Sequence, residues 1–193
     1  MKNIFSLFTI TLLLLSCKDL DKRIYATNKK GITTMQLFFP VTSFIKGEIY
    51  TIKKNGINPL KYTTINDRTD SVWLKVEDID TALSAFLQPE IDTTNLNKFF
   101  TEKSFLDKTI NAITLTYEAS VALPDTMELT NWDVYIDPNT NNVKRIYMVK
   151  QINKSTVLQL TWMTNQCCKI VTIVTDEKGL SKIKKEEKII WDF

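Results

Sequence analysis

Residues 156–175, TVLQLTWMTNQCCKIVTIVT, contain two β-like runs separated by a turn at Asn165-Gln166. In the first run, Leu158, Leu160 and Trp162 fall on one face at period 2, which is typical of a strand with one buried face. A link this short joins only antiparallel neighbours, because a parallel pair needs a crossover of about a dozen residues. The stretch therefore predicts an antiparallel hairpin.

The same pattern continues on both sides of this hairpin. Turn-rich links recur at short intervals after residue 110, with no helical segment between them. Strands are predicted at residues 111–120, 129–136, 143–152, 156–164, 167–175 and 180–193. In the last of these, Ile189, Trp191 and Phe193 share one face. The C-terminal half is therefore predicted to be a meander of about six antiparallel strands.

The residues before 110 show helical spacing. Pro40 suits the first position of a helix and Gly56 suits the residue just past its end. Between them, apolar residues recur at helical spacing: Val41, Phe44, Ile45, Ile49 and Ile52. A second helix is predicted from about Asp78 to Pro89, and a short third helix contains Leu96, Phe99 and Phe100. Two β-like runs, 60–65 and 71–76, lie between the first two helices.

These elements predict an α+β fold for a single domain, residues 35–193. Two or three N-terminal helices are expected to pack on a curved antiparallel β-meander of about six strands.

The first residues carry the pattern of a secretory signal. Lys2 precedes an apolar run, residues 4–15, which is shorter than the roughly 20 residues of a spanning helix. The run ends in Leu14-Leu15-Ser16-Cys17, which resembles the lipobox of bacterial lipoproteins. The resemblance implies that residues 1–16 are a signal peptide and that Cys17 carries lipid. Residues 17–34 are then the lipidated cysteine and a flexible tether.

The residues after Cys17 bear on where such a lipoprotein is sent. Lys18 is not the Asp that retains lipoproteins in the inner membrane of enteric bacteria. Asp19 and Asp21 behind Lys18 resemble the surface-export signal of Bacteroidetes lipoproteins, although Leu20 splits the two acids. The alternative is a generic polar tether. The resemblance implies an outer-membrane lipoprotein, anchored to the membrane by lipid and exposed at the cell surface if the export signal operates.

Composition excludes several functions. Histidine is absent from the sequence, which rules out His-activated nucleophiles and the usual His-containing zinc sites. The four glycines form neither GxGxxG nor a P-loop. With 25 basic and 22 acidic residues, no nucleic-acid partner is expected. The Lys-rich residues 182–188 include Glu186 and Glu187, and we interpret them as a solvated strand or hairpin rather than a phosphate-binding patch. No catalytic residue, metal site or cofactor is predicted.

Two cysteines besides Cys17 are adjacent, at Cys167 and Cys168. Neighbours in a strand point to opposite faces, so one buried and one partly exposed thiol are expected. A vicinal disulfide, an intermolecular bridge or a metal ligand are the alternatives.

Acidic residues crowd the predicted start of the second helix. Glu77, Asp78 and Asp80 suit capping and the positive end of the helix dipole, with Asp78 or Asp80 as the cap. One alternative is a carboxylate-dependent hydrolase that draws on this region as far as Asp92, because a pair of acids can hydrolyse a glycoside. A carboxylate cluster can also bind calcium, but the calcium-loop pattern DxDxDG is absent from the sequence.

Aromatic residues lie in or near the predicted strands. If buried, the four tryptophans are core residues, and the aliphatic neighbours of each favour that interpretation: Trp73, Trp132, Trp162 and Trp191. Exposed, aromatic rings form a stacking surface for sugars or an apolar groove. The candidate ligand or partner surface consists of Trp132, Tyr135, Tyr147 and Trp162.

Residues 132–147, WDVYIDPNTNNVKRIY, resemble the terminal hairpin of PepSY-type domains, with Asn141 in place of that family's turn glycine. The resemblance implies the helix-plus-curved-sheet build of β-lactamase-inhibitor-like proteins and carries over no functional residue.

The function expected from the sequence is that of a non-enzymatic envelope lipoprotein that binds a protein, glycan or lipid partner. One alternative is the carboxylate-dependent hydrolase. A second alternative is a carrier of lipid or another hydrophobic ligand, with the concave face of the sheet as its groove.

Overall fold

The computed structural model describes residues 37–191. These residues belong to the second of two units into which the chain divides, Met35–Phe193. The predicted signal peptide, the lipobox with Cys17, the tether and Phe193 lie outside the described residues.

Helix α1, Val41–Lys54, begins one residue after Pro40, which is its N-cap rather than its first residue, and ends two residues before Gly56. Its buried side is the expected apolar stripe, in which Val41 and Ile45 are fully enclosed. Gly56 adopts a φ of 65°, which most L-residues avoid, and its backbone N–H donates to the carbonyl oxygen of Lys53. The predicted first helix is therefore confirmed.

Nine strands and a second, short helix follow. The strands are β1 (Leu60–Ile65), β2 (Arg68–Trp73), β3 (Phe100–Asp107), β4 (Ala112–Ala119), β5 (Leu129–Ile136), β6 (Val143–Asn153), β7 (Thr156–Met163), β8 (Cys167–Thr175) and β9 (Ser181–Ile190). Helix α2, Ile79–Leu83, lies between single-turn 3₁₀ helices at Val76–Asp78 and Ser84–Phe86. All strands form one sheet in the order β2-β1-β9-β8-β7-β6-β5-β4-β3, and every neighbouring pair is antiparallel.

The predicted α+β fold class, with two or three helices on a six-stranded meander, is wrong. The described chain is mostly one nine-stranded antiparallel sheet with two α-helices, of which only α1 is long. The six strands predicted after residue 110 are present as β4–β9. The error lies in the remaining three strands, since β1 pairs with β9 and brings β2 into the same sheet, while β3 forms the opposite edge. The pairing of β1 with β9 joins segments that are far apart in the chain and leaves no local pattern in the sequence, whereas β3 pairs with β4 across a short turn.

The predicted second and third helices fail for a local reason. The second is reduced to α2, five residues long, between the two 3₁₀ turns. The third is absent, and Phe100 instead begins β3. The carbonyl oxygen of Leu96 accepts hydrogen bonds from the N–H groups of Phe99 and Phe100 at 2.9 and 3.1 Å. A single turn therefore supplies the spacing that indicated a helix.

The hairpin of β5 and β6 turns at residues 137–142. Asn141 takes a φ of 59°, a conformation that Asn tolerates better than most residues, so it replaces glycine at this turn. The side chain of Asp137 accepts a 2.8 Å hydrogen bond from the backbone N–H of Asn139 and closes the loop.

The two faces of the sheet differ in what covers them. Side chains of α1 and α2 pack into one hydrophobic core with one face of the sheet, which we call the covered face. In β5, Trp132 and Val134 point into this core, whereas Asp133 and Tyr135 alternate with them and are partly exposed. These alternate positions form the open face, on which the described residues place no helix.

Candidate functional site

The four residues of the candidate ligand or partner surface separate onto the two faces of the sheet. Trp132 and Trp162 lie on the covered face with 0% of their surface exposed. Tyr117 stacks on Trp132 with ring centroids 4.4 Å apart, and Phe86 meets Trp162 edge-on at 5.4 Å. The two tryptophans are therefore core residues, and only Tyr135 and Tyr147 remain available on the open face.

The covered face is filled by large side chains. Those that are 1% exposed or less include Phe86, Phe100, Tyr117, Trp132 and Trp162. Within the described domain, this packing leaves that face without the apolar groove that a lipid carrier needs.

Tyr135 and Tyr147 form a cluster with two charged neighbours on the open face. The guanidinium carbon of Arg145 lies 3.9 Å from the ring centroid of Tyr135, in cation–π geometry. The Tyr135 hydroxyl donates a long hydrogen bond, 3.4 Å, to Asp133. Asp133 also lies opposite Tyr147 in the strand register. Partial burial raises the pKa of both phenols, and the Asp133 carboxylate adds to the rise, so both remain protonated donors.

The register aligns open-face side chains into rows that cross the entire sheet. The row nearest one end of the sheet, which we call the end row, contains Phe105, Thr114, Tyr135, Arg145, Met163, Cys167, Ile190, Leu60 and Trp73. The next row, which we call the polar row, contains Lys103, Thr116, Asp133, Tyr147, Thr161, Lys169, Lys188, Tyr62 and Ser71. The register shifts within the sheet fall outside these two rows.

The polar row is unusual in its chemistry. All nine of its members carry a hydroxyl, an ammonium or a carboxylate, and none is aliphatic. Neighbouring strands lie about 4.8 Å apart, so the row is about 38 Å long. The end row beside it is mainly apolar. The open face therefore changes from apolar to polar between these two rows, which lie two residues apart along each strand.

A cavity of about 300 Å³ opens where these two rows cross β7, β8 and β9. Its lining consists of Thr161, Met163, Cys167, Lys169, Glu186 and Lys188. Lys169 and Lys188 are directly opposite each other on neighbouring strands. The Lys169 ammonium lies 2.8 Å from the Glu186 carboxylate. Among the described residues, no carboxylate lies within ion-pair distance of Lys188.

The adjacent cysteines point to opposite faces, as predicted. Cys168 is 1% exposed in the core, and burial raises the pKa of its thiol. Cys167 is partly exposed and lines the cavity. Neither thiol forms a disulfide. The expectation of one buried and one partly exposed thiol is confirmed.

The acidic residues near the start of α2 either form an ion pair or are exposed to solvent. Asp80 forms a 2.6 Å ion pair with Lys53. Glu77 and Asp78 are exposed, and Asp78, which precedes α2, makes no capping hydrogen bond with its side chain. The predicted cap at Asp78 or Asp80 is therefore wrong, since Asp80 lies inside α2, although the acids do lie near the N-terminus of α2.

The two acids after Pro89 are likewise engaged. Glu90 lies 3.8 Å from Lys46 in an exposed ion pair. The carboxylate of Asp92 accepts 2.7 Å hydrogen bonds from the backbone N–H groups of Thr94 and Asn95, and these bonds hold its pKa below the usual range. Asp92 thus stabilises a turn as a carboxylate.

Within residues 37–191, no group of three or more His, Cys, Asp or Glu side chains is arranged to hold a metal ion. No helix in that range is long and apolar enough to cross a membrane. No protein-family model, curated protein or solved structure matches the chain.

Reasoning from the sequence missed Tyr62, Thr161, Lys169 and Lys188 as members of a common surface. Thr161 lies between the buried Leu160 and Trp162, and Lys169 lies between the buried Cys168 and Ile170, so the place of these two on the open face is readable from period 2. The alignment of all four in one row depends on the pairing of β1 with β9, which the sequence does not reveal. The Lys-rich residues 182–188 do form part of a strand, β9.

Proposed function

We propose that this chain is a non-enzymatic envelope lipoprotein, anchored to the outer membrane through lipid on Cys17, that binds a glycan along the open face of its sheet. The observation that carries the proposal is the polar row. It offers hydrogen-bonding groups on nine consecutive strands without an aliphatic interruption.

The chemistry of the row favours a glycan over a protein partner. Protein interfaces have an apolar centre within a polar rim. On the open face the order is reversed. Polar side chains form the polar row, and the mainly apolar side chains of the end row lie on one side of it. A glycan presents hydroxyls along an extended chain, and a row about 38 Å long with a donor or acceptor at each strand can bind several of its units. Tyr62 and Tyr147 add ring surface to the hydroxyl groups.

The carboxylates of this face support binding rather than glycoside hydrolysis. Asp133 is the single carboxylate of the polar row. In the next row, Glu118 pairs with Lys103 at 2.5 Å and Glu186 pairs with Lys169 at 2.8 Å. A glycosidase instead keeps two acids about 5–9.5 Å apart, one of them ready to donate a proton.

The lipid anchor is tested by metabolic labelling with an alkyne fatty acid in the producing bacterium, followed by membrane fractionation. The wild-type chain is expected to take up the label and to fractionate with the outer membrane. The Cys17→Ser variant is expected to lose the label. A Cys17→Ser chain that is labelled as strongly as wild type would refute the anchor.

Glycan binding is tested with the full chain in a nonionic detergent on an array of bacterial and host glycans. Tyr147→Ala is expected to weaken the binding that wild type shows. Tyr50→Ala is the matched control, because Tyr50 is an exposed tyrosine on α1, away from the open face. The absence of any bound glycan for wild type, or an equal loss in both variants, would contradict the proposal.

A further inference from the structure

We infer that the cavity between Lys169 and Lys188 is the subsite that takes the anionic group, a carboxylate or a phosphate, of an acidic glycan. This inference rests on the proposed function, because the cavity lies within the polar row. It adds the charge of the ligand and the position at which that charge is bound.

The first support is the opposition of two like charges. Lys169 and Lys188 face each other across β8 and β9 on the same side of the sheet. Like charges directly opposite in a sheet destabilise it. Glu186 neutralises Lys169, and the ion pairs of the described residues leave Lys188 without a carboxylate. The cavity thus retains one positive charge that an anion would neutralise.

The second support is the chemistry of the other walls. The Thr161 hydroxyl stands opposite Lys169 and can donate a hydrogen bond to the same oxyanion. Met163 and Cys167 line the side towards the end row and offer an apolar wall. An acidic sugar has this combination, because its anionic group is attached to a ring with apolar C–H faces.

The third support is size and continuity. A volume of about 300 Å³ is at the lower end for ligand pockets, which suits one sugar unit rather than a whole glycan. The polar row continues on both sides, with Tyr147 beside Thr161 and Tyr62 beside Lys188. Neighbouring units of the same glycan can therefore contact the row on either side of the charged unit.

The test is an NMR titration of the ¹⁵N-labelled full chain in nonionic detergent with three probes. Galacturonate carries a carboxylate, glucose 6-phosphate carries a phosphate, and galactose is neutral. Saturable shifts of the Thr161, Lys169 and Lys188 amide signals are expected with at least one acidic sugar and not with galactose. The acidic sugar that gives them identifies the anion.

Two lysine variants on β9 complete the test. Lys188→Gln is expected to weaken binding of the acidic sugar roughly tenfold, since one charge-assisted hydrogen bond is lost. Lys182→Gln, an exposed lysine on the same strand outside the cavity lining, is expected to bind like wild type. Equal shifts with galactose, no shifts with either acid, or unchanged binding by Lys188→Gln would overturn the inference.

The outcomes separate this inference from the proposed function. Array binding that depends on Tyr147, without any effect of the acidic sugars on the cavity, would refute the anionic subsite and leave the glycan-binding row in place. Saturable binding of an acidic sugar in the cavity, with no glycan bound on the array, would refute binding along the row.

Discussion

Lys150 of β6 donates a hydrogen bond from its ammonium group to the backbone carbonyl oxygen of Gln88, 62 residues earlier in the chain. The same ammonium also donates to the carbonyl oxygen of Ala85. Lys150 is only 3% exposed, so a charged group lies inside the covered face and ties the segment after α2 to the sheet. A buried ammonium is tolerated where backbone carbonyls replace its water.

Removing this ammonium is expected to destabilise the domain. Lys150→Met keeps an unbranched side chain, one atom shorter, but leaves the carbonyl oxygens of Ala85 and Gln88 without their donor. We expect the free energy of unfolding to fall by about 1–3 kcal/mol at neutral pH, measured by urea denaturation. Lys182→Met, at an exposed site on β9, is the control and should change it little. A Lys150→Met protein as stable as wild type would show that the two hydrogen bonds contribute nothing net.

Stability is also expected to depend on pH through Lys150. Burial lowers the pKa of this ammonium from 10.5 to about 8. Between these values the unfolded chain holds the proton and the folded chain does not. The free energy of unfolding therefore rises with pH across this window, by up to roughly 3 kcal/mol from this group.

Two other buried groups act in the opposite direction. Burial raises the pKa of the Cys168 thiol and of the Tyr117 phenol above their ordinary values of 9.0 and 10.0. Their contribution is full below those values and is lost as pH rises further. The measurement is therefore the difference in unfolding free energy between wild type and Lys150→Met from pH 7 to 10. That difference should grow with pH, and a constant difference would contradict the lowered pKa of Lys150.

The hydroxyl of Tyr117 is expected to stabilise the segment just before α1. It accepts a 3.0 Å hydrogen bond from the backbone N–H of Phe39, just before the helix. Tyr117→Phe preserves the stacking on Trp132 and leaves that N–H unpaired, which should cost about 1–3 kcal/mol in thermal or urea unfolding. Tyr50→Phe removes an exposed hydroxyl and serves as the control. Equal stability of the two variants would argue against this bond.

The two adjacent thiols are expected to differ in reactivity. Cys167 is partly exposed, whereas Cys168 is enclosed and its raised pKa keeps it as the less reactive thiol. An alkylating reagent at pH 8 should modify Cys167 first, as read by peptide mass mapping. In denaturant both should react at similar rates. Equally rapid modification of both cysteines in the folded chain would count against the described packing.

The parts of the fold that could be predicted are those with a local signal. Strands β4–β9 alternate buried and exposed residues in period 2 and are joined by short turns. Helix α1 has an apolar stripe and is flanked by Pro40 and Gly56. The pairing of Leu60–Ile65 with β9 has no such signal, because neither segment indicates its partner. The helix predicted at residues 96–100 was wrong because a single turn and a helix share the same spacing of apolar residues.

The site could be predicted only in part, and one error was avoidable. Trp132 and Tyr135 are three residues apart, so a strand with period 2 places them on opposite faces. Grouping them on one surface ignored that rule. The polar row was beyond reach, because aligning Tyr62 with Lys188 and Lys169 needs the register of three strands.

The place of β9 between β1 and β8 has a consequence for biogenesis. The hairpin of β1 and β2 emerges from the ribosome early. In contrast, β9, which joins this hairpin to the rest of the sheet, is the last of the described strands to be made. Until then, one edge of β1 and one edge of β8 expose unpaired backbone groups, which are sites for aggregation. The sheet is therefore completed only after β9 has been made, and a holding chaperone that covers these edges until then would raise the yield of folded protein.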